Sequence, residues 1–261
     1  MADRDEAGRH IEAGRVLVSG SVATKAERQV STGEPIVLSD PPARYVSRGG
    51  DKLAAALHGF GVDPAGRRVL DAGASTGGFT DCVLQAGAAS VVAVDVGYGQ
   101  LHERVGRDPR VRTLDRTNIR HLAAADLDEL GGPMDLVVAD LSFISLRTVI
   151  EALLRCCAAG ADIVALVKPQ FEAERVEASR GRGVITDPAV WRRVLEEVIA
   201  ATSRHGGTIM GAMVSPLTGS DGNVEFLVHV RAPGGPPAAA PVIDLDAVVA
   251  SVPVAPGETS R

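Results

Sequence analysis

Four ionisable residues close apolar runs of this chain. Asp71 follows "RRVL", Asp95 follows "SVVAV", Asp140 follows "MDLVVA" and Lys168 follows "ADIVALV". Residues just past the carboxyl ends of parallel strands are where open α/β sheets bind ligands and do chemistry. Asp71 opens the stretch "DAGASTGGFTD", whose Gly73, Gly77 and Gly78 are spaced G-x-x-x-G-G. That spacing differs from the G-x-G-x-x-G of a dinucleotide-binding turn. It marks either a close approach of a ligand to the backbone or a plain tight turn. Asp95, twenty-four residues after Asp71, is placed to accept hydrogen bonds from a ribose diol. An acid at the head of the loop suits an amino or sulfonium charge better than a pyrophosphate. Together the two acids point to S-adenosylmethionine. The alternative is that both merely cap strand ends.

"VVADLSF" and "LVKPQF" add Asp140 and Lys168 at the ends of two later strands. A lone lysine is ordinarily a solvated surface residue. One held beside carboxylates in a partly dry cleft is tunable, because desolvation lowers its pKa and a neighbouring acid raises it. In "NVEFLVHV" the alternation puts Val224, Phe226 and Val228 on one face and Glu225 with Leu227 on the other. A carboxylate among apolar neighbours needs a partner, and a lysine is the obvious one. Lys52 begins the helical segment "DKLAAALHGF", where a solvated lysine would be equally ordinary. Spacing alone does not bring Lys52, Asp140, Lys168 and Glu225 together.

The elements that would position these residues alternate from about residue 51 onward. "RRVLDAG", "SVVAVDVG", "MDLVVADLS" and "ADIVALVKP" are continuous apolar strands separated by helix-length segments. Strands this uniformly apolar are covered on both faces, as in the parallel sheet of a doubly wound α/β domain. Upstream lies a smaller α+β module over residues 1–40. A helix over residues 4–13 ends near Gly14, and "RVLVSG", "SVATKAERQV" and "EPIVLS" read as three short strands. The prolines and glycines of "SDPPARYVSRGG" mark a linker, residues 41–50, before a main domain over residues 51–231. The remainder, residues 232–261, is a Pro/Ala/Gly-rich tail in which "VIDLDAVVASV" reads as a short terminal helix.

The 261 residues, 45% of them apolar, with a net charge of −6, are enough for one sizeable core and an accessory module. Cys82, Cys156 and Cys157 make a poor disulfide framework and read as reduced thiols. The charged start "MADRDEAGRH" is no signal peptide, and no apolar run is long enough to span a bilayer, so the expected location is the cytoplasm. There is no His/Cys cluster with metal-ligand spacing, and no metal is expected.

In order along the chain, "SRGGDKL", "DAGASTGGFTD", "AVDVGYGQL", "DLVVADLSFISL", "LVKPQFE" and "GNVEFLVHV" closely resemble the TlyA family over about residues 7–231. These are ribosomal RNA 2′-O-methyltransferases of the FtsJ-like class with an N-terminal S-four-type RNA-binding domain, and some carry the name haemolysin. The resemblance implies a Rossmann-like methyltransferase sheet and S-adenosyl-L-methionine as cofactor. It implies, as reaction, methylation of a ribose 2′-hydroxyl, that of a cytidine, in the RNA of the small or large ribosomal subunit or both. It places the Lys-Asp-Lys-Glu tetrad of the class on Lys52, Asp140, Lys168 and Glu225. Cofactor contacts fall on Asp71, Ala72, Gly73, Ala74, Ser75, Thr76, Gly77, Gly78, Phe79, Asp95, Asn118, Asp140 and Leu141. Lys168 would contact the 2′-oxygen, with the other three orienting it.

One departure concerns the RNA-binding module. Family members begin it with a further helix, whereas this chain opens inside the second, and residues 1–45 hold six Lys/Arg against seven Asp/Glu. RNA affinity leans on neutralising phosphates with basic side chains. The expected RNA contacts are therefore spread over Arg15, Arg48, Arg175, Arg180 and Arg182. The last three lie in "EAERVEASRGRGVITDP", a charged, glycine-punctuated stretch without apolar periodicity that reads as a mobile loop beside the site. Two other functions compete: a methyltransferase of a small hydroxylated metabolite, and a membrane-active haemolysin. The second lacks both a spanning segment and a basic amphipathic helix.

Overall fold

The computed structural model describes residues 4–39, 43–122, 124–236 and 240–253, and of Ala124, Arg175 and Arg180 the backbone alone. The chain divides into two compact units, Met1–Arg44 and Tyr45–Arg261.

In the first unit, helix α1 (Arg4–Glu12) is followed by Gly14 at φ 68°, the left-handed stop the sequence implies. Strand β1 (Val16–Val18) turns through Ser19 and Gly20, both with positive φ, into β2 (Ser21–Val22). A two-residue turn of that hand matches the twist of the strands it joins. Strand β3 (Ile36–Leu38) pairs antiparallel on the other side of β1. The middle strand expected over residues 21–30 shrinks to two residues. The charged "KAER" breaks its alternation, and Arg28 N–H donates to the Lys25 carbonyl at 3.2 Å in a turn. Val16, Val18 and Ala23 form the small core with Ile11 against it.

The second unit carries a seven-stranded sheet. Its strands are β4 (Arg68–Ala72), β5 (Ser90–Val94), β6 (Val111–Leu114), β7 (Met134–Ala139), β8 (Cys157–Val167), β9 (Thr208–Val214) and β10 (Phe226–Arg231), in the order β6-β5-β4-β7-β8-β10-β9. All neighbours are parallel except β10, which runs antiparallel to both β8 and β9. The sheet is the doubly wound α/β sheet expected. Strands β6 and β9 are its two edges and are not legible as strands, because β6 is half exposed, β9 is mostly half-buried, and neither forms a fully buried apolar run.

Helices α2 (Gly49–Phe60), α3 (Gly78–Gln85) and α4 (Glu103–Gly106) come first. They are followed by α5 (Ala124–Glu129), α6 (Leu146–Arg155), α7 (Pro169–Glu172), α8 (Arg175–Arg180), α9 (Pro188–Arg204) and α10 (Leu245–Ala250). Helix α9 begins with Asp187 capping the Ala189 N–H and Pro188 at the first turn. It then buries Trp191, Val194, Leu195 and Val198 at helical spacing. The terminal helix expected in the tail is α10. It packs on α9 and is tied by Arg192 Nε to Asp246 at 2.7 Å.

Two expectations change. The linker is shorter than residues 41–50, since Tyr45 is buried in the main core and α2 already begins at Gly49. The stretch after Lys168 is not one irregular loop. The expected loop begins at Glu172, the last residue of α7, and contains α8, which a capping box between Glu174 and Glu177 starts.

Strand alternation sorts the sheet into two faces. Leu70, Ala72, Ala139, Val167 and Phe226 belong to the core on one side, and Val69, Val138, Leu166 and Leu227 to the core under α2 and α3 on the other. A period of two therefore assigns Asp71, Asp140, Lys168 and Glu225 to the α2-covered face. Phe226 pairs with Val167, so Glu225 and Lys168 leave the sheet at the same end from neighbouring strands.

Candidate functional site

Two ion pairs stand at that end of the sheet. Lys52 Nζ meets Glu225 Oε2 at 2.5 Å, and both residues are buried. The lysine comes from the first turn of α2, the glutamate from the residue before β10. Lys168 Nζ meets Asp140 Oδ1 at 2.6 Å and donates to Ser142 Oγ at 2.9 Å. Its approach to Asp140 is that of an ion pair lying off the axis of a hydrogen bond. Pro169 ends the strand and starts α7 immediately after Lys168. The structure thus brings the four residues together in two pairs. The sequence pointed to Glu225 as an acid wanting a lysine, and the geometry gives it Lys52 while Asp140 takes Lys168.

Asp71 is wholly buried at the end of β4. Thr80 Oγ1, from the first turn of α3, donates to Asp71 Oδ2 at 2.6 Å. Oδ1 is buried without a hydrogen-bond partner. Burial pushes the Asp71 carboxyl up to about 7. The Thr80 hydrogen bond opposes that rise, and the nearby carboxylates of Asp140 and Asp95 add to it. A buried acceptor without a donor is a costly arrangement, and a ligand carrying a cationic or N–H group at this point would relieve it.

The glycines of the loop serve three different purposes. Gly73 sits at φ 85°, and a side chain there would meet the Asp140 carbonyl oxygen at 2.4 Å, so this glycine lets the loop cross the end of β7. Gly77, at φ 92°, is the left-handed entry to α3. A Cβ on Gly78 would lie 2.2 Å from Ser47 Oγ, so this glycine serves the approach of α3 to the start of α2. Phe79 packs into the core under α2.

Asp95 holds the rest of the loop. Its Oδ2 accepts from the Ser75 N–H at 2.8 Å and its Oδ1 from the Gly97 N–H at 2.7 Å. A cavity of about 420 Å³ opens between the ends of β4, β5 and β7. Among the residues expected to bind a cofactor, Gly73, Ser75, Asp95, Asn118, Asp140 and Leu141 line it. Asp71 lies buried behind the lining, and Ala72, Ala74, Thr76, Gly77, Gly78 and Phe79 shape the loop instead. Sequence reasoning passed over Thr80, Ser142, Phe143, Gln100 and Thr117. The first stands inside the quoted loop, and the next two directly follow Asp140 in "DLSF"; all but Thr80 line the cavity. Phe143 is 90% exposed, has a left-handed backbone at φ 64°, and leans on Phe171 with ring centroids 5.3 Å apart.

The arginines expected at RNA fall on different elements of the two units. Arg15 is engaged within the first unit, with Nε donating to the Ser39 carbonyl at 3.0 Å and Nη1 bonded to His10 Nδ1 at 3.1 Å. Arg48 is exposed at the start of α2, and Arg182 is exposed with φ 50° just after α8. Arg175 and Arg180 are the first and last residues of α8, and their side chains lie outside the description.

Known proteins resemble this chain over most of its length. Residues 45–232 match the model of the FtsJ-like methyltransferase family. The chain is 48% identical over 229 residues to a Mycobacterium tuberculosis protein named 16S/23S rRNA (cytidine-2′-O)-methyltransferase TlyA, a match covering 87% of this chain and 84% of that one. It is 36% identical over 228 residues to Hemolysin A of Brachyspira hyodysenteriae, covering 87% and 92%. A crystal structure from Lactococcus lactis, of a protein assigned provisionally to the hemolysins, superposes with a TM-score of 0.74 at 39% identity, covering 80% of this chain and 98% of that one. The chain belongs to the FtsJ-like methyltransferase family and is a methyltransferase.

Proposed function

We propose that the enzyme methylates a ribose 2′-hydroxyl of ribosomal RNA, on a cytidine, using S-adenosyl-L-methionine. The observation that carries this reading is the Lys168–Asp140 pair, whose aspartate lines the cavity, with the Lys52–Glu225 pair at the same end and on the same face of the sheet. The donor set fits the cofactor. Asp71 Oδ1 is a buried acceptor in want of a cation or an N–H, Asp95 is a carboxylate at the end of the second strand, and Gly73 and Ser75 keep the loop low against the cavity. When bound, the cofactor supplies an electrophilic methyl group on a sulfonium.

An alcohol attacking such a centre must be held in line, and as its proton passes to solvent the oxygen becomes alkoxide-like and carries negative charge. Lys168 Nζ meets that oxygen and offsets the charge, while Asp140 and Ser142 fix where Nζ points. Lys52 and Glu225 anchor the start of α2 to the start of β10. Residues 1–40 act as an S-four-like RNA-binding module, and Arg15, Arg48, Arg175, Arg180 and Arg182 supply contacts to phosphates. The enzyme works on ribosomes in the cytoplasm. The hemolysin name of some relatives has no counterpart in a spanning segment, since no helix among the described residues is long and apolar enough to cross a membrane.

The test is to incubate the enzyme and labelled cofactor with purified ribosomal subunits and, separately, with a small-molecule extract. Label in a 2′-O-methylcytidine of ribosomal RNA is the expected result. Label only in small molecules would assign the site to a hydroxylated metabolite.

A further inference from the structure

Glu172 is a buried carboxylate, 4% exposed, to which the reaction described above gives no role. It ends α7, one helical turn beyond Lys168. Its Oε2 accepts from the Ser145 hydroxyl at 2.5 Å and from Arg147 Nε at 3.0 Å, and its Oε1 accepts from the Leu146 N–H at 2.5 Å. Its backbone carbonyl accepts from Arg147 Nη2 at 2.6 Å. Ser145 caps α6, so the carboxylate satisfies donors at a helix start that would otherwise lack partners. The remaining Arg147 Nη1 reaches Glu197 on α9, which fixes the guanidinium from a second side.

These contacts complete a set of three ties between the segment after Asp140 and the segment after Lys168. At the reacting end Lys168 meets Asp140 and Ser142. In the middle the Phe143 and Phe171 rings are in contact. At the base Glu172 holds Ser145, Leu146 and Arg147. A void of about 10 Å³ is enclosed between the two segments, lined by Leu141, Ile144, Lys168 and Glu172 among others, so the lysine and the glutamate face the same gap. The left-handed backbone of Phe143 persists only where its surroundings hold it.

We infer that Glu172 is a positioning residue: by anchoring the 140–147 segment to the Lys168 segment it sets the Lys168–Asp140 contact and the Leu141–Ile144 wall of the cavity. The inference rests on the role proposed for Lys168 in methyl transfer. A carboxylate is required because every group facing its oxygens is a donor. Glutamine in its place offers one carbonyl oxygen and turns an NH2 toward an N–H or a guanidinium.

The experiment compares Glu172→Gln and Ser145→Ala with the full wild-type chain, at a temperature where melting curves show all three folded. Two quantities are read: kcat and KM for the cofactor on ribosomal subunits, and the rate at which an amine-selective acylating reagent modifies Lys168 across pH, followed by peptide mass spectrometry. Small misplacement of reacting groups costs up to about a hundredfold in rate. Glu172→Gln is expected to lower kcat on the order of tenfold, to raise KM by less, and to shift the pH profile of Lys168 acylation. Ser145→Ala should move each quantity the same way by less. A lowered melting temperature with kcat and the acylation profile unchanged would overturn the inference and leave Glu172 a structural residue. Acylation needs no substrate, so a wild-type chain that transfers no methyl to ribosomal RNA would overturn the proposed function while Lys168 acylation still decides the role of Glu172.

Discussion

Lys52 and Glu225 lie 173 positions apart in the chain, and 2.5 Å separates Nζ from Oε2 inside the protein. Glu225 is 3% exposed and Lys52 7%. The loop that turns back over Glu225 is close enough that a Cβ on Gly219 would meet its Oε1 at 2.8 Å. Neither charge has water to fall back on. Removing one partner of such a pair leaves an uncompensated buried charge, at a cost of about 3–5 kcal/mol, whereas removing both with apolar residues of similar volume is often neutral. Lys52→Met should therefore destabilise the chain by an amount in that range in urea unfolding. Lys52→Met combined with Glu225→Leu should recover most of it and still fail in methyl transfer. A single variant as stable as the wild type would mean that the pair is not buried as described.

Asp71 makes the chain sensitive to pH near neutrality. Its folded-state value of about 7 lies above the ordinary carboxylate range. Between about pH 4 and about pH 7 the folded chain thus binds more protons at this residue than the unfolded chain does. Stability from this group is then greatest at the acid end of the window and falls as pH rises through it. Cofactor binding should run the opposite way, because the ionised carboxylate is the form that accepts a cationic amino group. Calorimetric titrations from about pH 6 to about pH 8 should show affinity rising with pH, toward tenfold per unit at the steepest, and Asp71→Asn should abolish the slope and weaken binding throughout. A flat wild-type profile would contradict the assignment.

Much of the main sheet was legible because its central strands, β4, β5, β7 and β8, are buried on both faces and leave continuous apolar runs. Edge strands β6 and β9 carry no such signal, since β6 is half exposed and β9 is only partly buried along its length. The site divides along the same line. Asp71, Asp95, Asp140 and Lys168 end legible strands, and their chemistry could be read from position. Pairing Lys52 with Glu225 needed the fold, because α2 crosses the sheet face to reach β10 and no local pattern encodes that meeting. Glu172 was hidden for another reason. It opens a run of charged residues that looks solvated, and only the capping of α6 from across the chain shows it to be interior.

The stretch carrying Arg180 and Arg182 is partly helical, which leaves its proposed contact with RNA phosphates open to a direct test. Each arginine at a phosphate adds about one unit to the dependence of log affinity on log salt. Replacing Arg180 and Arg182 together by Ala should flatten that slope by about two units on ribosomal RNA and leave cofactor affinity unchanged. If the slope stays the same and RNA binding is instead lost on deleting residues 1–38, docking belongs to the N-terminal unit.

The central claim is that Lys168 serves the transfer step and not the holding of cofactor. An interaction made chiefly in the transition state appears in the rate and leaves ground-state binding nearly intact. The most direct measurement sets Lys168→Ala beside the wild type in two assays, calorimetric affinity for S-adenosyl-L-methionine and single-turnover methyl transfer to ribosomal RNA. The account predicts affinity within about twofold of wild type, a change under about 0.5 kcal/mol, and transfer reduced to background. Wild-type turnover in the variant, or loss of cofactor binding with turnover per bound cofactor preserved, would contradict it.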